Sequence, residues 1–165
     1  MALFEFDNEY GKFPDNDTIA LVQSKTGRLL RLGTEFSNDY FRQLLADGIG
    51  NEKMFNATIF SSRKSDDDIT ATEALEKGEC GFCYIPGFSS NSNSRYPIVI
   101  AGLVRGTDRV EKKGPDGKAV ILRIDGSTGA AIVDSDGHLI FFGKRLLDPY
   151  NPIWEGKLPK IAWPE

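Results

Sequence analysis

The single histidine of the chain, His138, is the first residue that could take part in acid–base chemistry. Such catalysis needs a histidine beside a nucleophile, or paired carboxylates in a cleft. His138 directly follows the turn sequence Asp136-Gly137, where the side chain at a strand end is usually solvated, and the sequence gives it no partner. We therefore predict a structural role for His138, no catalytic residue in the chain and no enzymatic activity.

Cys80 and Cys83 form a C-x-x-C motif, which is typical of a redox pair, half a zinc site or a disulfide. A zinc site needs about four ligands, and His138 could supply just one more, which disfavours zinc. If residues 80–85 form a strand, the two side chains lie about 10 Å apart, beyond the limit of about 7 Å for a disulfide. A bulge at Gly81 would allow a bridge, whereas redox catalysis usually requires the motif at a helix start. We predict two separate thiols.

Acidic residues cluster at Asp66-Asp67-Asp68 and again at Asp134 and Asp136. Calcium favours such oxygen ligands, but the second group lacks the downstream glutamate of an EF-hand loop, and an Asp-Gly turn explains its composition. We predict no metal ligand, no cofactor and little effect of calcium. Residues 137–145 have the outline of a phosphate loop, with one residue too many between the glycines and Arg145 in place of serine or threonine. We reject a phosphate site there.

The composition indicates one globular domain spanning residues 1–165. The chain has 165 residues, 40% of them hydrophobic and 27% charged, which are ordinary globular values. The net charge of −4 and the scattered basic residues argue against a nucleic-acid partner. No apolar run approaches the roughly 18 residues of a membrane span, and residues 1–20 lack the layout of a signal peptide.

Helix signals come early in the chain. The strongest begins at Ser37 as N-cap and ends before Gly48, with an apolar stripe of Tyr40, Phe41, Leu44 and Leu45. Weaker patterns predict a helix at 18–25, closed by Gly27, and another at 71–77 behind a capping box that begins at Thr70. Residues 2–10 fit either a helix or a strand.

Strand signals come late. Residues 80–85 and 96–104 read as strands, the second of them central, and residues 118–143 read as a three-stranded antiparallel meander with turns at Asp125-Gly126 and Asp136-Gly137. Residues 146–165 suggest an extended tail anchored by Trp154 and Trp163. The expected fold class is α+β, an N-terminal helical part packed on an antiparallel sheet of about four to five strands.

Five stretches together resemble the soluble domain of a pilin-like protein, specifically a pseudopilin of the bacterial type II secretion and type IV pilus class. They are EFDNEYGKFPDNDT at 5–18, SNDYFRQLL at 37–45, GFCYIPGFSSNSNSRYPIVIA at 81–101, GKAVILRIDGS at 117–127 and LLDPYNPIWEGKLPKIAWPE at 146–165. The likeness covers most of the chain and rests on structural motifs. In that family a long N-terminal helix, half membrane anchor and half spine of the domain, packs on an antiparallel sheet, and subunits assemble through these helices into a short filament.

The resemblance implies a non-enzymatic structural subunit of a secretion or pilus-like assembly, periplasmic or at the cell surface and anchored in the inner membrane in its full-length form. Its implied partners are other pilin-like subunits, bound through the N-terminal helix, and components of the secretion machinery. This sequence contains neither a Phe-Thr-Leu-x-Glu processing site nor the apolar half of that helix. We interpret residues 1–10 as the stub of the helix, with Leu3, Phe6 and Tyr10 facing the sheet and Gly11 ending it.

The alternative function is a cell-surface binding module. Its contact face would be the loops 86–95 and 105–117, because loops on a rigid sheet often carry recognition. A strand at Phe4 and Phe6, paired into the sheet, would favour this alternative over the pilin-like interpretation.

Overall fold

The computed structural model describes residues 2–113 and 118–165, so Met1 and the last four residues of the predicted loop 105–117 lie outside the described residues. Within the described ranges, three α-helices precede an antiparallel four-stranded sheet and a smaller second sheet, which confirms the α+β fold class. The helices are α1 (Ala2–Tyr10), α2 (Asn16–Thr26) and α3 (Ser37–Ala46), followed by a 3₁₀ turn at Glu52–Phe55. No helix in these two ranges is both long and apolar enough to cross a membrane.

Residues 2–10 form a helix rather than a strand. Leu3 and Phe6 are buried, as expected of the inward face, and the opposite face exposes Glu5, Asn8 and Glu9. Gly11 ends the helix at φ +76°, where glycine has no Cβ penalty. The Tyr10 hydroxyl donates to Asp47 Oδ1 at 2.9 Å, so the end of α1 reaches the end of α3 rather than the sheet.

The helix α3 is the buried centre of the helical part, because all ten of its residues are buried. The predicted apolar stripe is therefore confirmed. The predicted N-cap is wrong: Ser37 is already helical, and Phe36 precedes the helix. Asp39 Oδ2 accepts the backbone N–H groups of Glu35 and Phe36, which caps this end from inside the helix.

The helix predicted at 71–77 is absent, and residues 71–75 form turns instead. Leu75 has φ +48°, a left-handed conformation that ends any helix. The carbonyl of Ala74 accepts Arg42 Nε at 2.7 Å, and that of Leu75 accepts Arg42 Nη2 at 3.0 Å and Asn38 Nδ2 at 2.9 Å. These carbonyls point at α3 and serve its buried polar side chains, so they are not available to a local helix.

The larger sheet runs β1 (Phe82–Tyr84), β2 (Pro97–Ala101), β3 (Val120–Arg123) and β4 (Thr128–Ala130), in that spatial order and antiparallel throughout. The predicted central strand is confirmed, because β2 pairs with β1 on one side and β3 on the other. Ile98 and Ile100 are fully buried. The sheet faces the helices through its apolar side chains and completes the core.

The prediction of a single meander over 118–143 is wrong, because residues 128–130 belong to the larger sheet, as β4, whereas residues 132–133 belong to a second sheet. Ala131 N–H still bonds the carbonyl of Ala119 at 2.9 Å, and the chain then leaves the larger sheet. The second sheet consists of β5 (Ile132–Val133), β6 (Leu139–Phe141) and β7 (Lys144–Arg145). Both predicted Asp-Gly turns are present, with Gly126 at φ +81° and Gly137 at φ +84°.

The C-terminal tail packs along the free edge of β1, as its aromatic residues suggested. Tyr84 and Ala162 exchange two backbone hydrogen bonds of 2.9 and 2.8 Å. Trp154 is buried and its Nε1 donates to the carbonyl of Leu146 at 2.7 Å, whereas Trp163 is half-buried and accepts the Ser37 N–H through its backbone. Covering an edge strand in this way blocks its pairing with other chains.

Candidate functional site

Three carboxylates from separate segments meet in what we call the acidic cluster, formed by Glu52, Asp66 and Glu79. One carboxylate oxygen of each lies within 4.8 Å of the others. Glu52 belongs to the 3₁₀ turn after α3, Asp66 to the loop that contains the acidic run 66–68, and Glu79 to the segment that leads into β1. The cluster therefore brings together three segments of the chain that do not belong to the same helix or strand.

Backbone N–H groups hold the two glutamates of the acidic cluster. Glu52 accepts the N–H groups of Asp67, at 2.8 Å, and of Leu75. Glu79 Oε2 accepts the N–H of Glu76 at 2.7 Å. Both glutamates are 0% exposed. Burial raises the pKa of Glu52 and the pKa of Glu79 above the ordinary glutamate value, because desolvation disfavours the charged form.

One buried oxygen of the acidic cluster has no hydrogen bond, and two more such oxygens belong to the sequence neighbours of Asp66. Among the described residues they are Ser65 Oγ, Asp67 Oδ1 and Glu79 Oε1. Ser65 and Asp67 flank Asp66, and Glu79 is itself a member of the cluster. Arg63 Nε lies 3.5 Å from Glu79 Oε1, an electrostatic contact without hydrogen-bond geometry. Buried polar groups normally have a hydrogen-bond partner, so these oxygens lack a partner that the protein itself does not supply.

The sequence singled out only part of this site. It identified the acidic run that contains Asp66, but Glu52 and Glu79 belong to no motif and stand far from Asp66 along the chain. Asp68, the third acid of the run, is exposed and does not join the cluster. The only sequence signal was weak: Glu79 lies between Gly78 and the apolar strand segment, where an unpaired acid is unusual.

His138 has a partner, contrary to the sequence prediction. Its Nδ1 lies 2.5 Å from Oδ1 of Asp108, a buried residue of the preceding loop. Asp108 Oδ2 accepts the Leu147 N–H at 3.1 Å, so the pair connects three segments. No serine, threonine or cysteine side chain of residues 2–113 and 118–165 hydrogen-bonds the imidazole. The pair thus lacks the contact between nucleophile and base that acyl transfer requires.

Cys80 and Cys83 are separate buried thiols, as predicted, although β1 begins at Phe82 and so contains only Cys83. Cys80 Sγ contacts the hydroxyl of Ser37 at 3.7 Å. Burial raises the pKa of the Cys80 thiol to about 11, and raises that of Cys83 further. The thiolate is the reactive form, so neither side chain is prepared for redox or nucleophilic chemistry at neutral pH.

Both cysteines should therefore resist thiol reagents in the folded protein. At pH 8 a thiol of pKa about 11 is ionised roughly 100-fold less than one of pKa about 9, and burial blocks access as well. We expect labelling by a chromogenic disulfide reagent at least about 100-fold slower than in denaturant. The thiols of the unfolded chain lose their protons at a lower pH than the buried thiols of the folded chain. The free energy of unfolding should therefore also fall as the pH rises above about 9. Rapid labelling of the native protein at pH 8 would contradict the burial of the two thiols.

The acidic residues near the second Asp-Gly turn have structural partners, as predicted. Asp134 accepts the backbone N–H groups of His138 and Asp136 at 2.9 and 3.0 Å. Arg145 donates to the Asp134 carboxylate at 3.1 Å. The pKa of Asp134 is lowered, mainly by the hydrogen bond from the His138 N–H and to a smaller extent by Asp136 and Arg145. Residues 137–145 form a hairpin of β6 and β7, which supports the rejection of a phosphate loop.

An apolar groove with a volume of about 250 Å³ opens at the N-terminal end of α1. Its walls are the first residues of α1, the buried face of α3 and the 3₁₀ turn, and its floor is the larger sheet. The residues that define it best are Ala2, Leu3, Leu44, Met54, Val99, Val120 and Leu122. Met54 and Val120 are each 41% exposed, which is unusual for side chains beside a core.

Comparisons with family models, with curated proteins and with solved structures found no match to this chain.

Proposed function

We propose that the chain is the folded domain of a pilin-like structural subunit, a pseudopilin-like component of a secretion or pilus-like assembly. The subunit would be periplasmic or at the cell surface and, in its full-length form, anchored in the inner membrane by an N-terminal helix. Its partners would be other pilin-like subunits, contacted through that helix, and components of the secretion machinery. The proposal requires neither an enzymatic activity nor a nucleic-acid surface.

The conformation and packing of α1 carry this proposal. The segment is a helix rather than an edge strand, and its apolar face is buried in the core beside α3. Nine residues make a marginal helix in isolation, so packing must supply its order. A buried helix at the start of the domain, packed beside α3, is the feature on which assembly through N-terminal helices depends.

The apolar groove supports the same proposal. It begins at Ala2 and Leu3 and continues over half-buried Val99 of β2 and exposed Val120 of β3. Preceding turns of a longer α1 would run beside these residues and remove them from water, at about 25 cal/mol for each Å² buried. We infer that such turns cover the groove in the full-length protein.

The alternative, a cell-surface binding module, has a specific observation in its favour. Loop 86–95 is exposed at Asn91 and Arg95, while Ser90 hydrogen-bonds Asp7 of α1. An open pocket of about 370 Å³ lies beside it between the two sheets, and Arg95, Arg123 and Phe142 are among its lining residues. A small ligand or a partner loop could bind there.

Cross-linking from α1 distinguishes the two functions. In the full-length protein produced in its native cells, Asn8→Cys places a thiol on the exposed face of α1. Coupling it to a photoreactive maleimide should yield covalent adducts with pilin-like subunits, because assembly brings neighbouring helices together. The adducts can be identified by mass spectrometry, and the buried Cys80 and Cys83 should contribute little background.

A matched control is Lys112→Cys, which places the same probe on an exposed residue of loop 105–117, the other predicted contact loop. Adducts formed from Lys112→Cys alone would favour the binding module. An absence of adducts from Asn8→Cys would contradict the proposed function. The coding sequence upstream provides a second test, since a pilin-like subunit requires an apolar stretch of about 20 residues that begins at a prepilin cleavage motif.

A further inference from the structure

The acidic cluster has the composition and spacing of a cation site. We propose that Glu52, Asp66 and Glu79 bind one calcium ion, with water completing its coordination. The sequence led us to expect little effect of calcium, because it showed only the exposed acidic run. The fold places one acid of that run against two fully buried glutamates.

The spacing of the oxygens fits a shared ion. Calcium binds oxygen at about 2.3–2.6 Å, so two of its ligands are at most about 5 Å apart. One oxygen of each carboxylate in the cluster lies within 4.8 Å of the others. A small inward movement of exposed Asp66 would close this triangle around an ion, while backbone N–H groups hold the two glutamates in place.

The unpaired oxygens supply the independent argument. Glu79 is 0% exposed, and its Oε1, which belongs to a carboxylate of the cluster, has no hydrogen-bond donor. Ser65 Oγ and Asp67 Oδ1, on either side of Asp66 in the sequence, are likewise buried without a donor, but neither residue belongs to the cluster. Oxygens that accept nothing from the protein are the oxygens that a hard cation would use.

Two basic side chains stand at the edge of the cluster and define the competing explanation. Arg63 donates to Asp66 Oδ2 at 3.0 Å and also pairs with Glu76, while Lys53 pairs with Asp67. Arg63 is 46% exposed and contacts Glu79 at 3.5 Å without a hydrogen bond. It can move toward solvent when an ion binds, so it compensates the cluster only in part.

Calcium is the cation that this ligand set suits best. The candidate ligands are all oxygens, and they come from a 3₁₀ turn and from irregular backbone rather than from one α-helix face. Calcium accepts six to eight oxygen ligands in flexible geometry, whereas magnesium demands a near-ideal octahedron and keeps several waters. Zinc is disfavoured because no histidine or cysteine belongs to the cluster.

Calcium binding should be measured on the whole chain after treatment with a chelator. Equilibrium dialysis against radioactive calcium should give one ion per chain. An ion present at about 100 times its Kd should raise the Tm by roughly 5–10 °C for a protein of this size, because it binds only the folded state. The same concentration of magnesium should raise the Tm much less, and an equal rise would overturn the assignment to calcium.

Matched variants locate the ion. Glu79→Gln and Asp66→Asn should each abolish binding and the Tm shift, and Asp66 is exposed, so its variant should fold. Asp68→Asn removes the same charge two residues away and should retain both. Binding that survives Asp66→Asn and Glu79→Gln would overturn the proposal, as would no binding at 5 mM calcium. In the latter case a large loss of stability in Arg63→Gln would identify Arg63 as the counterion.

Discussion

Replacing Arg42 with methionine should lower the free energy of unfolding by about 3–5 kcal/mol, the usual cost of leaving a buried charge unpaired. Arg42 is 2% exposed and its Nη1 donates to Asp39 Oδ1 at 2.7 Å. Its guanidinium also serves the carbonyls of Ala74 and Leu75 and the carboxylate of Glu165. Methionine keeps much of the apolar stem but satisfies none of these partners. Urea denaturation followed by circular dichroism measures the loss.

Two further variants isolate the cause. Arg31→Met removes an exposed arginine and should change the free energy of unfolding by less than about 0.5 kcal/mol. Adding Asp39→Asn to Arg42→Met removes the stranded charge, while the amide oxygen can still accept the N–H groups of Glu35 and Phe36. The double variant should therefore lose less stability than the two single losses added together. Simple additivity would mean that the Arg42–Asp39 ion pair does not organise this part of the core.

The apolar pattern predicted α3 correctly, but it could not predict the polar residues buried with it. Periodicity assigns arginine, asparagine and glutamine to the solvent face of a helix. In this fold the turns at 71–75 and the C-terminal tail cover Asn38 and Arg42, and the start of α2 covers Gln43. Asn38 donates to the carbonyl of Leu75 and accepts the N–H of Glu165, while Gln43 donates to the carbonyl of Asp15. Those partners are distant in sequence, so no local pattern could have identified them.

The same covering explains the helix that the sequence predicted wrongly. Thr70 and Glu73 have the types and spacing of a capping box, and one turn does form, with Ala74 N–H bonded to the carbonyl of Thr70. The carbonyls of Ala74 and Leu75 instead accept hydrogen bonds from Arg42. The N–H of Leu75 donates to Glu52. Long-range polar contacts here override a local helix signal.

The candidate site was the least predictable part of the molecule. Its three carboxylates come from a 3₁₀ turn, a loop and a strand entrance, and only the tertiary fold brings them together. The partner of His138 was missed for the same reason, since Asp108 precedes it by 30 positions. Turns and apolar strands are signalled by patterns within a few residues. Acidic residues that meet only in the folded protein leave no such local pattern.

Replacing Phe6 with alanine should lower the free energy of unfolding by about 3–5 kcal/mol, the typical cost of removing a buried aromatic side chain. Phe6 is 0% exposed, and its ring lies 4.4 Å from that of Tyr10 between centroids. Because α1 is too short to be stable alone, the loss should appear first as fraying of this helix. Hydrogen exchange at the α1 amides should therefore rise more than exchange in the larger sheet.

A matched control on the same helix is Glu5→Ala, which changes an exposed side chain and should alter the free energy of unfolding by less than about 0.5 kcal/mol. If Phe6→Ala cost less than about 1 kcal/mol, α1 would be an appendage that the domain does not need. A subunit that assembles through its N-terminal helix must transmit force from that helix to the sheet, so a weakly attached α1 would count against the pilin-like proposal. A loss of 3–5 kcal/mol, together with a larger rise of exchange in α1 than in the sheet, would mean that the helix is attached firmly and opens before the rest of the domain.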